Sequence, residues 1–206
     1  GDIIPQVESV VTELRPKNTR TFNYERALKQ QYPELVFERQ GDDVVYRVKG
    51  ADSDLMLKRS IEYYASKGAL DIDTLGEKNV IALVDAGLVK DLADMYTLTI
   101  DDLLKLDRFA EISANKLINA IAEKKNPSLE KFILGLGVRH VGAQTAIDLA
   151  KTFESIENLA KATIEALEQV EGIGKVVAES VVAWFADEDN IHVIEKFKQL
   201  NVGPYY

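Results

Sequence analysis

One pattern comes round four times in this chain and constrains what it can fold into. Residues 171–180 read EGIGKVVAES; with Gly174 as origin, equivalent centres fall at Gly76, Ala110 and Gly142, spaced by 34, 32 and 32 residues. One position before each centre stand Leu75, Phe109, Val141 and Ile173, and four before stand Ile72, Leu106, Val138 and Val170. Four positions after stand Val80, Ala114, Ala146 and Ala178, and seven after stand Leu83, Leu117, Leu149 and Val181. The positions four, seven and eight after a centre share one face of a helix that starts just beyond it. Each repeat therefore predicts a helix, a hairpin of about four residues and a second helix. A small residue at the fourth position lets the second helix pack tightly. Glycine at the centre suits positive φ or a backbone that something must approach closely. Read as a positive-φ position, Ala110 predicts a distorted second hairpin, and Thr74 stands where a first glycine is expected in the first.

Periods near this length also occur in tetratricopeptide and ankyrin solenoids. Here the Ile-x-x-Leu-Gly core falls in the turn between helices instead of on a packing face, which disfavours a solenoid.

The rest of the composition narrows the class. At 46% hydrophobic over 206 residues the chain can bury a core. No apolar run approaches the ~20 residues that span a bilayer, and no charged-then-apolar leader is expected at the N-terminus. The absence of cysteine excludes disulfides and thiolate metal sites. A cytoplasmic protein without a membrane partner is the expectation. The net charge of −9 argues against a generic basic nucleic-acid surface. Residues 1–65 carry ten Lys or Arg against eleven Asp or Glu, and residues 66–206 carry fifteen against twenty-three. Nucleic-acid binding must work through a few well-placed groups.

The first third differs from the remainder. Val7 to Leu14 is strand-like and closed by Arg15-Pro16, and ELVFERQGDDVVYRV predicts a β-hairpin turning at Gly41-Asp42-Asp43. Helical period begins near Leu55, with Leu57, Ile61, Tyr64 and Ala65 on one face and Gly68 as the expected C-cap. A boundary is expected within 50–68.

The repeated turn carries the chemistry. A helix start leaves its first N–H groups unpaired, the helix dipole adds positive potential, and a glycine lets a phosphate oxygen approach without meeting a Cβ. Such a site reads backbone, not bases. The expected DNA-binding residues are Leu75, Gly76 and Lys78; Arg108, Phe109 and Ala110; Arg139, His140, Val141 and Gly142; and Gly172, Ile173, Gly174 and Lys175. For each cation the alternative is a solvated first-turn or hairpin side chain. Tyr63-Tyr64 and Trp184-Phe185 read as core, His192 as structural, and the acidic clusters Asp71/Asp73, Asp101/Asp102 and Asp187/Glu188/Asp189 as helix caps in place of metal ligands. No metal or catalytic residue is expected.

GIG followed by lysine and a small residue resembles the helix-hairpin-helix motif of DNA-repair proteins. Four in tandem, as two pairs, resemble the corresponding domain of bacterial NAD-dependent DNA ligases. DIDTLGEKNVIALVDAGLVKDLADMYTL, LLKLDRFAEISANKLINAI, FILGLGVRHVGAQTAIDLA and LEQVEGIGKVVAESVVAWF are each similar to that family, and GDIIPQV resembles the end of its oligonucleotide-binding barrel. The resemblance implies a mainly α protein with a small β-rich N-terminal part: barrel end at 1–18, a β-hairpin module replacing a zinc finger at 19–60, and four helix-hairpin-helix motifs at 61–206. It implies sequence-independent grip on duplex or nicked DNA, across the minor groove, within a ligase of replication and repair. Catalytic domains upstream in the same chain would use NAD and Mg2+. No cofactor is implied for these residues themselves, and no activity of their own. The chain departs from the family at the zinc ligands, where Val48, Ser53 and the stretch Gln30 to Pro33 hold no cysteine. The β-hairpin is therefore expected to hold by packing of Leu35, Phe37, Val45 and Tyr46. It also contains no Lys-x-Asp-Gly nucleotidyl-transfer motif; VKGADSD at 48–54 has the letters in another order. Two other readings stay open: a helical scaffold that has lost DNA binding, favoured by the acidic balance, and a helix-hairpin-helix glycosylase, disfavoured by the four-repeat layout.

Overall fold

A computed structural model describes residues 23–31, 33, 37–38, 47–48 and 53–205, the four strand residues by backbone alone. The chain divides into two compact units, Gly1–Asp52 and Ser53–Tyr206.

In the first unit α1 (Tyr24–Gln31) opens where Asn23 Oδ1 accepts from the amide of Arg26 at 2.9 Å, and it buries no residue. Strands β1 (Phe37–Glu38) and β2 (Arg47–Val48) pair antiparallel, Phe37 opposite Val48 and Glu38 opposite Arg47. This is the stem of the expected hairpin. Its turn, the stretch 7–14, and the side chains of Leu35, Phe37, Val45 and Tyr46 lie outside the described residues.

The second unit is helical. Its elements are α2 (Ser53–Tyr64), α3 (Glu77–Asp85), a 3-10 helix (Leu92–Thr97), α4 (Ile100–Leu104), α5 (Glu111–Ala122), α6 (Leu129–Gly135), α7 (Ala143–Phe153), α8 (Ile156–Ala160), α9 (Ile164–Glu168), α10 (Lys175–Ala186) and α11 (Glu188–Gln199). Helix α2 packs on α3, α4 on α5, α6 on α7 and α9 on α10, so each repeat is a helix pair. The recurring positions explain why. Leu75, Phe109, Val141 and Ile173, then Val80, Ala114, Ala146 and Ala178, then Leu83, Leu117, Leu149 and Val181 are all buried. Each fully buried Leu or Val contributes about 1.5–3 kcal/mol over leaving it exposed.

The division into units falls at 52/53, within the expected 50–68, and α2 begins directly after it. Two expectations need correction. Gly68 does not cap α2. The helix ends at Tyr64, and a loop closed by bonds from Leu70 N to Tyr64 O and from Ile72 N to Ala65 O places Asp71 at φ 52. The connections are also longer than four residues, spanning 65–76, 105–110, 136–142 and 169–174.

An aromatic group joins the two halves of the unit. Tyr64 of α2 stacks on Phe197 of α11 at 6.1 Å between ring centres and meets Phe132 of α6 edge-on at 6.4 Å. Its hydroxyl donates to Tyr96 Oη at 2.6 Å, since the Tyr96 hydroxyl itself donates to the carbonyl of Lys124 at 2.9 Å. Helix α11 is tied to the 3-10 helix by Lys196, which pairs with Asp91 at 2.9 Å and with Asp94. The C-terminal segment then runs beside the 125–129 connection: Gly203 N donates to Lys125 O, Tyr205 N to Pro127 O, and Leu129 N to Tyr205 O.

Candidate nucleic-acid interface

The four hairpins, 72–76, 106–110, 138–142 and 170–174, are built alike. In each, the amide one before the centre donates to the carbonyl four before it, at 3.4, 3.1, 3.1 and 3.1 Å in chain order. Positive φ falls two residues before the centre: Thr74 at 68°, His140 at 67° and Gly172 at 84°. Arg108 fills that place without it. The centres themselves are extended, with φ of −93°, −111°, −95° and −92° at Gly76, Ala110, Gly142 and Gly174. Ala110 is therefore unstrained, and the expected distortion of the second hairpin is absent. The strained residue is Thr74, β-branched at left-handed φ, with its Oγ1 buried and without a partner. Two contacts hold it there: Thr74 N donates to Asp73 Oδ1 at 3.0 Å and Asn79 Nδ2 to Thr74 O at 2.6 Å.

Glycine at a centre is not required by its φ, and the space around it is open. A Cβ added to Gly76, Gly142 or Gly174 would meet nothing within 4 Å. The first intrahelical bond of each following helix goes from the fourth residue after the centre, Val80, Ala114, Ala146 or Ala178, to the carbonyl of the centre. The three amides before it have no helical partner, and at Gly76, Gly142 and Gly174 no side chain caps them. At Ala110 the nearby Ser113 Oγ accepts from the amide of Ala110 itself.

Five other helix starts of this unit are treated differently: Asp91, Thr99, Ser155, Thr163 and Asp187 accept from first-turn amides of the 3-10 helix, α4, α8, α9 and α11. At α6 Ser128 makes no side-chain cap, and the carbonyl of Tyr205 takes only the Leu129 amide. A side-chain N-cap is worth about 1 kcal/mol. That stabilisation is forgone at the hairpin helices, whose amides stay open to an outside acceptor.

The expected site residues divide by role. Leu75, Phe109, Val141 and Ile173 are buried and anchor the hairpins, so they present no side chain to a ligand. Gly76, Ala110, Gly142, Gly172 and Gly174 are exposed backbone. Lys78, Arg139 and His140 are exposed, with no hydrogen bond or ion pair among the described residues. Lys175 lies 3.8 Å from Glu179 with its side chain 76% exposed, a pair too solvated to hold it. Arg108 is engaged: its Nε donates to Asn79 Oδ1, which fastens the second hairpin to α3. Lys116 of α5 also lies 4.0 Å from Asp73, so the first two repeats form one pair. In the second pair, α7 and the α9 turn share a groove lined by Asp148, Lys151, Gln169 and Glu171.

Tyr64 is core, but Tyr63 is 42% exposed and the core reading fails for it. Trp184 and Phe185 are half-buried, 4.8 Å apart between ring centres. His192 is exposed. Asp102 and Asp187 cap helices as expected, Asp102 completing a reciprocal box with Thr99, but Asp71 and Asp73 cap none: the start of α3 has no side-chain cap, and Asp73 accepts from Thr74 N within the turn. No group of three His, Cys, Asp or Glu among the described residues is placed to hold a metal. Sequence reasoning missed Asn79, whose amide serves both hairpins of the first pair, and Gly135, whose role rests on a contact distant in sequence.

Four helix pairs, each turning through a buried apolar anchor into an uncapped helix start, define a tandem helix-hairpin-helix protein. The family model for the helix-hairpin-helix motif matches residues 131–194. Over all 206 residues the chain is 37% identical to a DNA ligase of Macrococcus caseolyticus, 38% to one of Bacillus cytotoxicus and 37% to one of Bacillus thuringiensis. It spans 31%, 30% and 30% of those proteins' lengths. The chain belongs with the C-terminal helix-hairpin-helix part of bacterial DNA ligases. No described helix is long and apolar enough to cross a membrane.

Proposed function

We propose that this chain grips duplex DNA by its sugar-phosphate backbone, without reading sequence, as the DNA-binding part of an NAD-dependent ligase that seals nicks in replication and repair. The observation that carries the reading is selective: helix starts at Gly76, Gly142 and Gly174 are uncapped and open, while side chains cap the 3-10 helix, α4, α8, α9 and α11 of the same unit. Phosphate oxygens are the acceptors such amides suit, and the dipole of each helix adds to the attraction. This chemistry needs little net positive charge, so −9 does not oppose it. Adenylyl transfer, with its NAD and Mg2+, is assigned to other parts of the ligase, and the role here is to hold the duplex. Residues 1–18 and 19–60 are assigned to the barrel end and to a cysteine-free counterpart of the zinc module.

The test is fluorescence anisotropy of the 206-residue chain with nicked and intact duplexes at two salt concentrations. Expected is weak, salt-sensitive and sequence-blind binding, lost in the Gly142→Val/Gly174→Val double variant. Both centres have extended φ and empty space around a Cβ, so that variant keeps its fold to within about 1 kcal/mol per site. No binding at low salt overturns the reading and leaves the acidic helical scaffold.

A further inference from the structure

Beside the third hairpin lies a groove that no single repeat forms, shared between the third hairpin and the first helix of the first pair. Its floor is the 136–142 turn, including His140 and Gly142, and its wall is the outer face of α2, with Met56, Arg59, Ser60 and Tyr63. Its volume is about 680 Å³. We propose that this groove seats the sugar-phosphate backbone of the strand that the third hairpin holds, with Arg59 as a phosphate contact outside the four hairpins.

Three observations carry this. The first is charge. In a chain of net charge −9 the residues lining this groove include Arg59 and His140 and no carboxylate. The groove between α7 and α9 holds Asp148 and Glu171, and the one beside α11 holds Glu154 and Glu157. A phosphodiester entering the α2 groove meets no acid at its lining.

The second is availability. Arg59 is exposed and has no hydrogen bond or ion pair among the described residues. The nearby Ser60 hydroxyl is occupied within its own helix, donating to Met56 O at 2.9 Å. A guanidinium presents several donors in a fork that matches phosphate oxygens.

The third is the pairing of apolar with polar surface. Met56 is 60% exposed and Tyr63 42% exposed on the same wall. Seven residues apart, they share the helix face that carries Arg59 and Ser60. A strand backbone alternates charged phosphate with apolar sugar, and this wall offers a cation beside two apolar surfaces. Gly142 and His140 line both the groove and the third hairpin, so a strand held at the open amides of α7 runs directly onto it.

This inference rests on the DNA-binding reading, and the experiment separates the two. The salt dependence of duplex binding is measured for the wild-type chain, Arg59→Ala, Glu62→Gln and Gly142→Val. Expected for Arg59→Ala is weaker binding, with the slope of log affinity against log salt reduced by about 1 and an unchanged melting temperature. Glu62→Gln, a charge change on the same helix outside the groove, does not reduce the slope. If Arg59→Ala keeps the wild-type slope while Gly142→Val loses binding, the groove proposal is overturned and the hairpin reading stands. If the wild-type chain does not bind, both fall.

Discussion

Arg108 in the second hairpin donates through Nε to Oδ1 of Asn79 on α3, and the amide of the same Asn79 donates to the carbonyl of Thr74 in the first hairpin. One side chain thus sets the first two hairpins against each other. It also supports Thr74, a residue whose left-handed φ and unpartnered hydroxyl are both unfavourable. Replacing Asn79 by Ala removes both hydrogen bonds. Unfolding in urea is expected to show a loss of about 1–2 kcal/mol. A double-mutant cycle with Arg108→Ala should return a coupling energy clearly different from zero. Additive single effects would mean that the two hairpins are held together by other contacts.

Gly135 ends α6 where the two halves of the helical unit meet. A Cβ there would come 2.8 Å from Leu70 Cδ1 and 3.1 Å from the ring of Tyr64. The leucine tip has freedom to move. The tyrosine ring does not, being stacked on Phe197, set edge-on to Phe132 and hydrogen-bonded to Tyr96. Alanine gains about 1 kcal/mol of helix propensity over glycine, but overpacking a core costs about 1–3 kcal/mol. Gly135→Ala is expected to lower stability by about 1 kcal/mol, read as a lower urea midpoint. An unchanged or higher midpoint would mean that α6 can shift away from α2 without cost.

The alkaline side of the stability curve is set by the same aromatic group. Burial raises the Tyr96 hydroxyl from 10.0 to about 12, a hydrogen bond from Tyr64 working the other way. Burial first, and then the charge and hydrogen bond of Tyr96, push Tyr64 well above 10.0. For Lys196, burial works against the charge, but hydrogen bonds to Asp94 and Asp91 outweigh it, and its pKa rises above 10.5. A group whose pKa is raised by folding contributes stability below its unfolded value and loses it as pH climbs through the folded one. All three therefore act in the same direction. Stability should hold up to about pH 10 and fall above it, with part of the tyrosinate absorbance appearing only as the chain unfolds. Tyr96→Phe should start about 1 kcal/mol lower near neutrality, having stranded the Lys124 carbonyl, and decline less steeply. Tyrosinate absorbance that is complete before any unfolding would contradict this account.

The repeat itself was legible because helical burial is periodic. The anchor before each centre and the two core positions after it are apolar in all four copies and buried in all four. The hairpin backbone was legible only in part. The sequence places glycine at three centres but cannot separate its two uses, and the open approach at Gly76, Gly142 and Gly174 was confused with the positive φ that Thr74, His140 and Gly172 adopt. Two of those three are not glycine, because the turn bond and the packed anchor impose the conformation against local preference.

By itself, then, the sequence determined the number of helix pairs, their register and the corners at which they turn. Those follow from side-chain spacing along a single helix, which has a fixed period. Only the tertiary structure decided which corners are locked together, which helix starts are left uncapped, and that α2 stands beside the third hairpin with Arg59 and Tyr63 facing outward. Those depend on contacts such as Gly135 against Tyr64, or Lys196 against Asp91, between residues 71 and 105 positions apart. No local periodicity encodes such pairs; they are fixed only when the halves close on a shared core.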